Sequence, residues 1–192
     1  MAEGRGKLDP MNISTERLII RPFALADAED IHRVVREKNI LRYMADWAEG
    51  KDTPRDYDEP IAWLARHKWS RDMRKSQRYA VALRATGEMI GMVGVGVHSD
   101  LREVEVAYFM AEAHQRQGYA KEALSALIGW IFKVSEEPYL IATVDSANEA
   151  SAKTALACGF RLFEERKIIG YKAHNMVSDS YFYFRRYRPE ME

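Results

Sequence analysis

"VEVAYFMAEAHQRQGYAKEALSALIGWIF", residues 104–132, changes its hydrophobic period partway through, and this change decides the fold. The first seven residues are mostly β-branched and aromatic, which is typical of a strand. A polar turn, "QRQG" (115–118), follows and leads directly into a helix. The unpaired N–H groups of a helix start can hold an anionic group such as phosphate, and a glycine there lets the ligand come close to the backbone. The apolar residues that recur at helical spacing are Ala120, Ala123, Leu124, Leu127, Ile128 and Ile131.

Taken alone, this turn is a weak motif, because any strand-to-helix connection can use a glycine. It has no Gly-Lys-Ser/Thr of a Walker loop and lacks the first glycines of a dinucleotide fingerprint. Its place between a strand end and a long helix strengthens the case, and Arg116 adds a guanidinium suited to phosphate. A plain helix cap remains the alternative to an anion site.

Composition limits the function classes. The 192 residues carry 29 Lys and Arg against 29 Asp and Glu, so neither nucleic acid nor an anionic membrane is an expected partner. The single cysteine, Cys158, excludes an internal disulfide, and no stretch is long and apolar enough for a membrane span. We expect a cytoplasmic protein with a flexible leader over residues 1–12 and one domain over residues 13–188.

The elements upstream of the opening stretch are a strand, two helices and a meander. "TERLIIRPF" (15–23) predicts the strand, and residues 27–44 predict one helix with Asp27 as its N-cap. Residues 59–69 predict a second helix with proline in its first turn. Three runs within residues 77–111 predict a three-stranded antiparallel meander.

The middle strand of the meander contains Gly91, Gly94 and Gly96. These glycines weaken it as an isolated strand and indicate that either a neighbouring backbone or a ligand approaches closely. A crowded sheet is the simpler explanation.

Downstream, "YLIATVD" (139–145) predicts another strand, followed by a short helix. Ser146 and Glu149 have capping-box spacing, and Gly159 fits the left-handed residue after a helix end. Two final strands follow, so the element order predicts a mixed α/β layer.

One turn inside the short helix, "NEAS" (148–151) places Asn148 and Ser151 on one face. They lie near the carboxyl end of the preceding strand, where α/β sheets bind ligands. A solvated polar first turn is an equal alternative.

The run at 104–132, followed by "VDSANEASAKTALACGFRLFEE" (144–165), resembles the GNAT superfamily of acyl-CoA-dependent N-acetyltransferases. "TERLIIRPFALADAEDI" (15–31) further resembles the branch that contains the ribosomal-protein N-terminal acetyltransferases. The resemblance covers roughly residues 14–187. It implies an α/β (α+β) fold with a mixed, mostly antiparallel sheet of about seven strands, helices on both faces and a splay between the fourth and fifth strands.

The resemblance also implies acetyl-CoA as the acyl donor. The N–H groups of Gln117, Gly118 and Ala120 would hold the diphosphate, and the strand end before the loop would pair with the pantetheine arm. Asn148 would hold that arm from the other side, with Ser151 near the sulfur. Relatives often have glycine in place of Ala107 and Arg116, but neither replacement removes a backbone N–H. The implied cofactor-binding residues are Tyr108, Phe109, Met110, Gln115, Arg116, Gln117, Gly118, Tyr119, Ala120, Asn148 and Ser151.

Direct acyl transfer needs a base for the amine, a donor for the oxyanion and a proton source for the thiolate. Glu105, on the strand before the loop, is the candidate base, through water, although it is nearly as well explained as a surface glutamate. Glu164 and Glu165 are rival bases.

The N–H of Phe109 or Met110 is the candidate oxyanion donor. The resemblance implies Ser151 as the acid, and Tyr181 is the alternative.

Two other side chains are tempting candidates. Cys158 has no paired histidine and is interpreted as a small buried thiol, and His114 as a solvated turn residue. The five histidines show no ligand spacing, so we expect no metal.

The leading hypothesis is an N-acetyltransferase acting on a primary amine, as a monomer or homodimer. The alternatives are a non-catalytic acyl-CoA-binding or sensing module and a different nucleotide-binding protein. A protein N-terminus, an aminoglycoside-like amine and a polyamine or amino-acid derivative are all open as acceptors. The aromatic residues expected near the acceptor groove are Trp47, Tyr57, Trp63, Trp69, Tyr171 and Tyr181.

Overall fold

A computed structural model describes residues 11–44, 48–50, 53–54, 72–168 and 177–191. The strands are β1 (Ile13–Ser14), β2 (Leu18–Pro22), β3 (Ala48–Gly50), β4 (Thr53–Pro54), β5 (Gln77–Leu83), β6 (Met89–Val97), β7 (Val104–Met110), β8 (Tyr139–Asp145), β9 (Arg161–Lys167) and β10 (Ser180–Tyr187). The α-helices are α1 (Ala28–Val34), α2 (Lys38–Tyr43), α3 (Tyr119–Val134) and α4 (Glu149–Ala157). The helix predicted over 59–69 and most of the expected leader lie outside the described residues and stay predictions.

Eight strands form one sheet in the order β1-β2-β5-β6-β7-β8-β10-β9. All neighbours in it are antiparallel except β7 and β8, which are parallel. The mixed, mostly antiparallel sheet is therefore confirmed, and it has one strand more than expected because β1 pairs with β2. The meander prediction over β5, β6 and β7 is confirmed as well.

Helices cover both faces of the sheet, as expected. Successive side chains of a strand point to opposite faces, so β7 contributes to two cores. Val104 and Val106 join the core beneath α3, where Leu124 and Leu127 are fully buried. Phe109 joins the smaller core on the opposite face with Ile31 of α1.

The glycines of β6 are explained by crowding within the sheet. A Cβ on Gly91 would overlap the carbonyl oxygen of Phe109, and one on Gly94 would stand 2.8 Å from that of Gln77. Both contacts are to backbone atoms of neighbouring strands, so the crowded-sheet explanation is confirmed.

The single helix predicted over 27–44 is wrong, because the chain forms α1 and α2 with a break between them. Glu37 adopts an extended conformation before α2, with φ −65° and ψ 136°. Its carboxylate accepts a hydrogen bond of 2.6 Å from the N–H of Glu112, just past the end of β7. A distant partner thus fixes the break, which helical periodicity alone does not reveal.

Asp27 precedes α1 but does not cap it through its side chain, so the predicted N-cap bond is wrong. The carboxylate instead accepts hydrogen bonds from both terminal nitrogens of Arg21, at 2.6 and 2.8 Å, and from the N–H of Ala24 at 2.7 Å. Burial by itself raises the pKa of the Asp27 carboxyl, but these bonds outweigh it and lower the pKa below its usual value. Asp27 therefore ties the start of α1 to β2.

Candidate active site

The sheet opens into a gap between β7 and β8. One residue pair joins these two strands, Glu105 with Ile141, whereas β6 and β7 are paired along the whole of β7. Both strands are fully described, and no second pair joins them. These are the fourth and fifth strands of the sequence prediction, so the predicted splay is confirmed.

The register decides which backbone groups of β7 face this gap. In an antiparallel ladder, the N–H and C=O of alternate residues point to the same neighbour. Ala111 N–H bonds to Ile90 C=O at 2.8 Å, which turns the odd-numbered residues of β7 towards β6. The N–H and C=O of Tyr108 and Met110 therefore face the gap, whereas those of Phe109 face β6.

At the Met110 end of the gap, the loop over 115–118 leads into α3. Arg116 and Gly118 both have left-handed backbones, with φ of 59° and 83°. The N–H groups of Gly118, Tyr119 and Ala120 have no acceptor within the described ranges. Three unpaired donors at the positive end of a 16-residue helix form a site for an anionic group.

The two glutamine side chains of this loop hold its shape. Gln115 Nε2 donates to the carbonyl of Met110 at 2.9 Å, and Gln117 Nε2 donates to that of Ala113 at 3.0 Å. Their amide groups therefore fasten the loop to the end of β7. Since these side-chain amides donate within the loop, the groups left to bind a ligand are backbone N–H groups.

Arg17 is a site residue that the sequence reasoning missed. Its Nη1 donates to the carbonyl of Gln117 at 2.9 Å. Because a trans peptide points its C=O and N–H in opposite directions, this bond turns the N–H of Gly118 away from Arg17. Arg17 thus orients one of the three unpaired donors.

Glu122, on the first turn of α3, holds Arg17 in place. Its carboxylate accepts hydrogen bonds from the Nε and the backbone N–H of Arg17, at 2.7 and 2.9 Å. It accepts a third from the hydroxyl of Thr15, at 2.6 Å. Burial by itself raises the pKa of Glu122, but these hydrogen bonds outweigh it and lower the pKa below its usual value. More than a hundred residues separate the partners, so no local pattern indicates the contact.

Asn148 lies on the opposite side of the gap and is the N-cap of α4. Its Oδ1 accepts the N–H of Ser151 at 3.1 Å. The capping box predicted for Ser146 and Glu149 is therefore wrong, and so is the placement of Asn148 one turn inside the helix. The reason is a turn in which Asp145 accepts the N–H groups of Ala147 and Asn148, which delays the helix.

The other end of α4 agrees with the sequence, since Gly159 has φ 83°. The cap uses only the amide oxygen of Asn148. Its NH₂ group has no partner in the described part of the chain.

Ser151 and Tyr108 meet across the gap. The phenol oxygen of Tyr108 lies 2.9 Å from the Ser151 hydroxyl and donates to the Ser151 carbonyl at 2.8 Å. Burial raises the pKa of the Tyr108 phenol, so it stays neutral. The predicted acid candidate thus has a half-buried hydroxyl neighbour that the sequence did not indicate.

Glu105 lies at the closed end of the gap. Its Oε1 accepts both the N–H of Thr143, at 3.2 Å, and the Thr143 hydroxyl. Glu105 shares its sheet face with Phe109, opposite the face that carries Tyr108. A carboxylate is therefore held on one side of the gap while Ser151 lies on the other.

The carboxylates of Glu164 and Glu165, the rival bases, lie on β9 and are farther from the gap than that of Glu105. Register partners form a row from Thr143 through Tyr183 to Glu164, so Glu164 lies two strand spacings, roughly 10 Å, beyond the residue that holds the Glu105 carboxylate. Glu164 is bound by Arg166, and Glu165 by Ser180.

Tyr181, the alternative acid, lies on β10 opposite Asp145, beyond β8 from the gap. The other five aromatic residues of the expected acceptor groove fall outside the described ranges.

A polar network that the sequence did not predict lies beside Glu105. The carboxylate of Glu103 accepts the hydroxyls of Tyr139 and Tyr183, at 2.8 and 2.7 Å. Arg185 donates to the Tyr183 hydroxyl at 2.7 Å, and burial raises the pKa of Tyr183 to about 12. These residues come from β8, β10 and the position just before β7, so only the assembled sheet brings them together.

The remaining candidates are accounted for by local contacts. Cys158 is buried as expected, and burial raises the pKa of its thiol. His114 lies 3.5 Å from a Glu88 oxygen, which corrects the expectation of a solvated turn residue. Among the residues that the structure describes, no three His, Cys, Asp or Glu side chains are placed to hold a metal ion, and the expectation of no metal stays a prediction. No described helix has both the length and the apolar character needed to cross a bilayer.

Comparison with known proteins identifies the class. The model of the acetyltransferase (GNAT) domain matches residues 17–161, which include β7, the loop, α3 and α4. The chain therefore belongs to the GNAT acetyltransferase family, whose members use acetyl-CoA.

The individual proteins that resemble this chain do so at low sequence identity. The uncharacterized N-acetyltransferase YoaA of Bacillus subtilis (strain 168) is 26% identical over 150 residues, 78% of this chain and 82% of YoaA. A GNAT-family acetyltransferase structure from Bacillus anthracis shares the fold with a TM-score of 0.74 at 20% identity, covering 92% of this chain and 98% of that one. RimL, a ribosomal L7/L12 alpha-N-protein acetyltransferase solved with coenzyme A, has a TM-score of 0.74 at 18% identity, with coverage of 92% and 98%.

The loop residues fit a diphosphate-bearing donor. Gly118 is exposed, and a Cβ there would meet only Arg17 Nη2, at 3.3 Å. An anionic group can therefore reach the unpaired N–H groups without meeting a side chain of the loop's own glycine.

Proposed function

We propose that this protein transfers the acetyl group of acetyl-CoA directly to a primary amine, either a protein N-terminus or a small-molecule amine. The observation that carries the proposal is the gap between β7 and β8. One end of it meets the unpaired N–H groups at the start of α3, and the other end meets the carboxylate of Glu105.

The donor is held by backbone on one side and by α4 on the other. The N–H groups of Gly118, Tyr119 and Ala120 bind the diphosphate, with Arg17 orienting the loop. The backbone of Tyr108 and Met110 binds the pantetheine arm, because the register turns it towards the gap. The free NH₂ group of Asn148 completes the site.

Bound acetyl-CoA supplies a thioester that an amine can attack. Glu105 takes the proton of the incoming amine, directly or through water, and Thr143 fixes the orientation of its carboxylate. The N–H of Tyr108 is the oxyanion donor, because it faces the gap nearer to Glu105 than that of Met110 does, and that of Phe109 is turned to β6. Ser151 lies on the far side of the gap from Glu105, and its hydroxyl donates a hydrogen bond to the leaving sulfur.

A peptide N-terminus is the first acceptor to test. RimL, which shares the fold, is named as an acetyltransferase of a ribosomal protein's α-amino group. The test is release of coenzyme A with a panel of peptides and small amines, followed by mass spectrometry of the product.

Gly118→Asp puts a negative charge among the unpaired N–H groups and is expected to abolish both turnover and thermal protection by acetyl-CoA. Gly87→Asp is the matched control, because Gly87 has a similar φ of 79° and nothing within 4 Å of an added Cβ. Protection that survives in Gly118→Asp contradicts the site. Protection of the wild type without turnover on any amine favours a sensing module, and competition by ATP or NAD favours a different nucleotide.

A further inference from the structure

The hydrogen bonds between Tyr108 and Ser151 allow more than one arrangement of their two protons. The phenol of Tyr108 has one proton and two neighbours, the carbonyl and the hydroxyl of Ser151, at 2.8 and 2.9 Å. A carbonyl only accepts, whereas each hydroxyl can donate or accept. Two arrangements of the protons therefore exist.

In the first arrangement, Tyr108 donates to the Ser151 carbonyl, and the Ser151 hydroxyl donates to Tyr108. The hydroxyl proton of Ser151 is then bonded to Tyr108 and cannot be donated to a third group. In the second, Tyr108 donates to the Ser151 hydroxyl oxygen, and the serine proton is available for a third group. The switch is inexpensive, because the carbonyl of Ser151 lies within α4, where the helix supplies a donor four residues later.

We propose that Tyr108 is a positioning residue that orients the Ser151 hydroxyl towards the leaving sulfur of coenzyme A. This inference rests on the proposed function. As negative charge develops on the sulfur, Tyr108 turns its proton from the carbonyl to the hydroxyl oxygen, and Ser151 donates its own proton to the sulfur in a hydrogen bond. No covalent bond of Tyr108 or Ser151 breaks, and the phenol stays protonated.

Two further observations support this arrangement. The ring of Tyr108 packs against the core beneath α3, which fixes where its hydroxyl can reach. Linked hydroxyl groups that are partly shielded from water polarise one another, so the serine becomes a better donor when Tyr108 donates to it. A phenol that remains neutral can keep that role throughout the working pH range.

The test measures the pKa of the thiol of bound coenzyme A, labelled with ¹³C at the carbon next to sulfur, by its chemical shift against pH. Tyr108→Phe and Ser151→Ala are each expected to favour the thiol over the thiolate by about three- to tenfold, a pKa rise of roughly 0.5–1. The double variant should show no further rise, because Tyr108 acts through Ser151. Turnover should fall by a similar factor, with affinity for acetyl-CoA unchanged.

Tyr79→Phe is the matched control, since Tyr79 is a phenol within the core against which Tyr108 packs, bonded to Gln77 at 2.7 Å. An unchanged thiol pKa in Tyr108→Phe, or additive effects of the two variants, overturns the inference. A wild type that binds coenzyme A but acetylates no amine overturns the proposed function alone, because the thiol titration still decides the role of Tyr108. A wild type that does not bind coenzyme A overturns both.

Discussion

Asn148 serves two purposes in this structure and its proposed function, and two substitutions separate them. Its amide oxygen caps α4 through the 3.1 Å bond from Ser151 N–H, and its NH₂ group is assigned to the pantetheine arm. Asn148→Ala removes both groups. Asn148→Ser removes the NH₂ group but keeps a side-chain oxygen that caps helices as well as asparagine does.

The magnitudes follow from these contacts. Loss of an N-cap costs about 1 kcal/mol, which lowers the melting temperature of a chain of this size by roughly 2–4 °C. The nine residues of α4 make it a short helix, so the full cost is expected in Asn148→Ala and little of it in Asn148→Ser. Loss of one hydrogen bond to the donor raises the Kd of acetyl-CoA by about three- to tenfold in both variants.

The melting temperature without ligand measures how much the Asn148 cap stabilises the fold. Calorimetric titration with acetyl-CoA at fixed pH measures how much the Asn148 NH₂ group contributes to donor binding. If Asn148→Ala melts at the wild-type temperature, Asn148 is not an effective cap. If Asn148→Ser binds acetyl-CoA as tightly as the wild type, the amide does not hold the donor.

Glu105→Gln keeps size and hydrogen bonding but cannot accept a proton, so turnover should fall about a hundredfold or more with acetyl-CoA affinity unchanged. Near-normal rates with the same acidic limb in the pH–rate profile would exclude Glu105 as the base. Glu122→Gln should lower the melting temperature at pH 7, and the difference should vanish at low pH. The folded-state pKa of Glu122 lies below its ordinary 4.5, so its contribution is present above that value and lost as the pH falls through the folded-state pKa. An equal difference at pH 7 and pH 3 contradicts this. Arg116→Gly should relieve a left-handed backbone and raise the melting temperature by about 2–4 °C, and an unchanged value would show that no strain is stored there.

The amino-acid sequence by itself determined the features that depend on short-range patterns. The change from a strand period to a helical period around residue 118 predicted β7, the loop and α3 correctly. The left-handed Gly159 followed from the chemistry of helix ends, and the splay followed from a family resemblance carried by two motifs.

The tertiary structure decided the features that depend on distant partners. Glu37 breaks the first predicted helix through a bond to Glu112, and Arg17 reaches the loop because Glu122 holds it. β10 lies between β8 and β9, an order that consecutive strands in the sequence do not reveal. Tyr108 meets Ser151 because its ring and α4 pack against the same core on one face of the sheet. Periodicity records which face of an element is apolar, but it carries no information about which side chains from far along the chain will meet there, since those contacts form only when the sheet assembles.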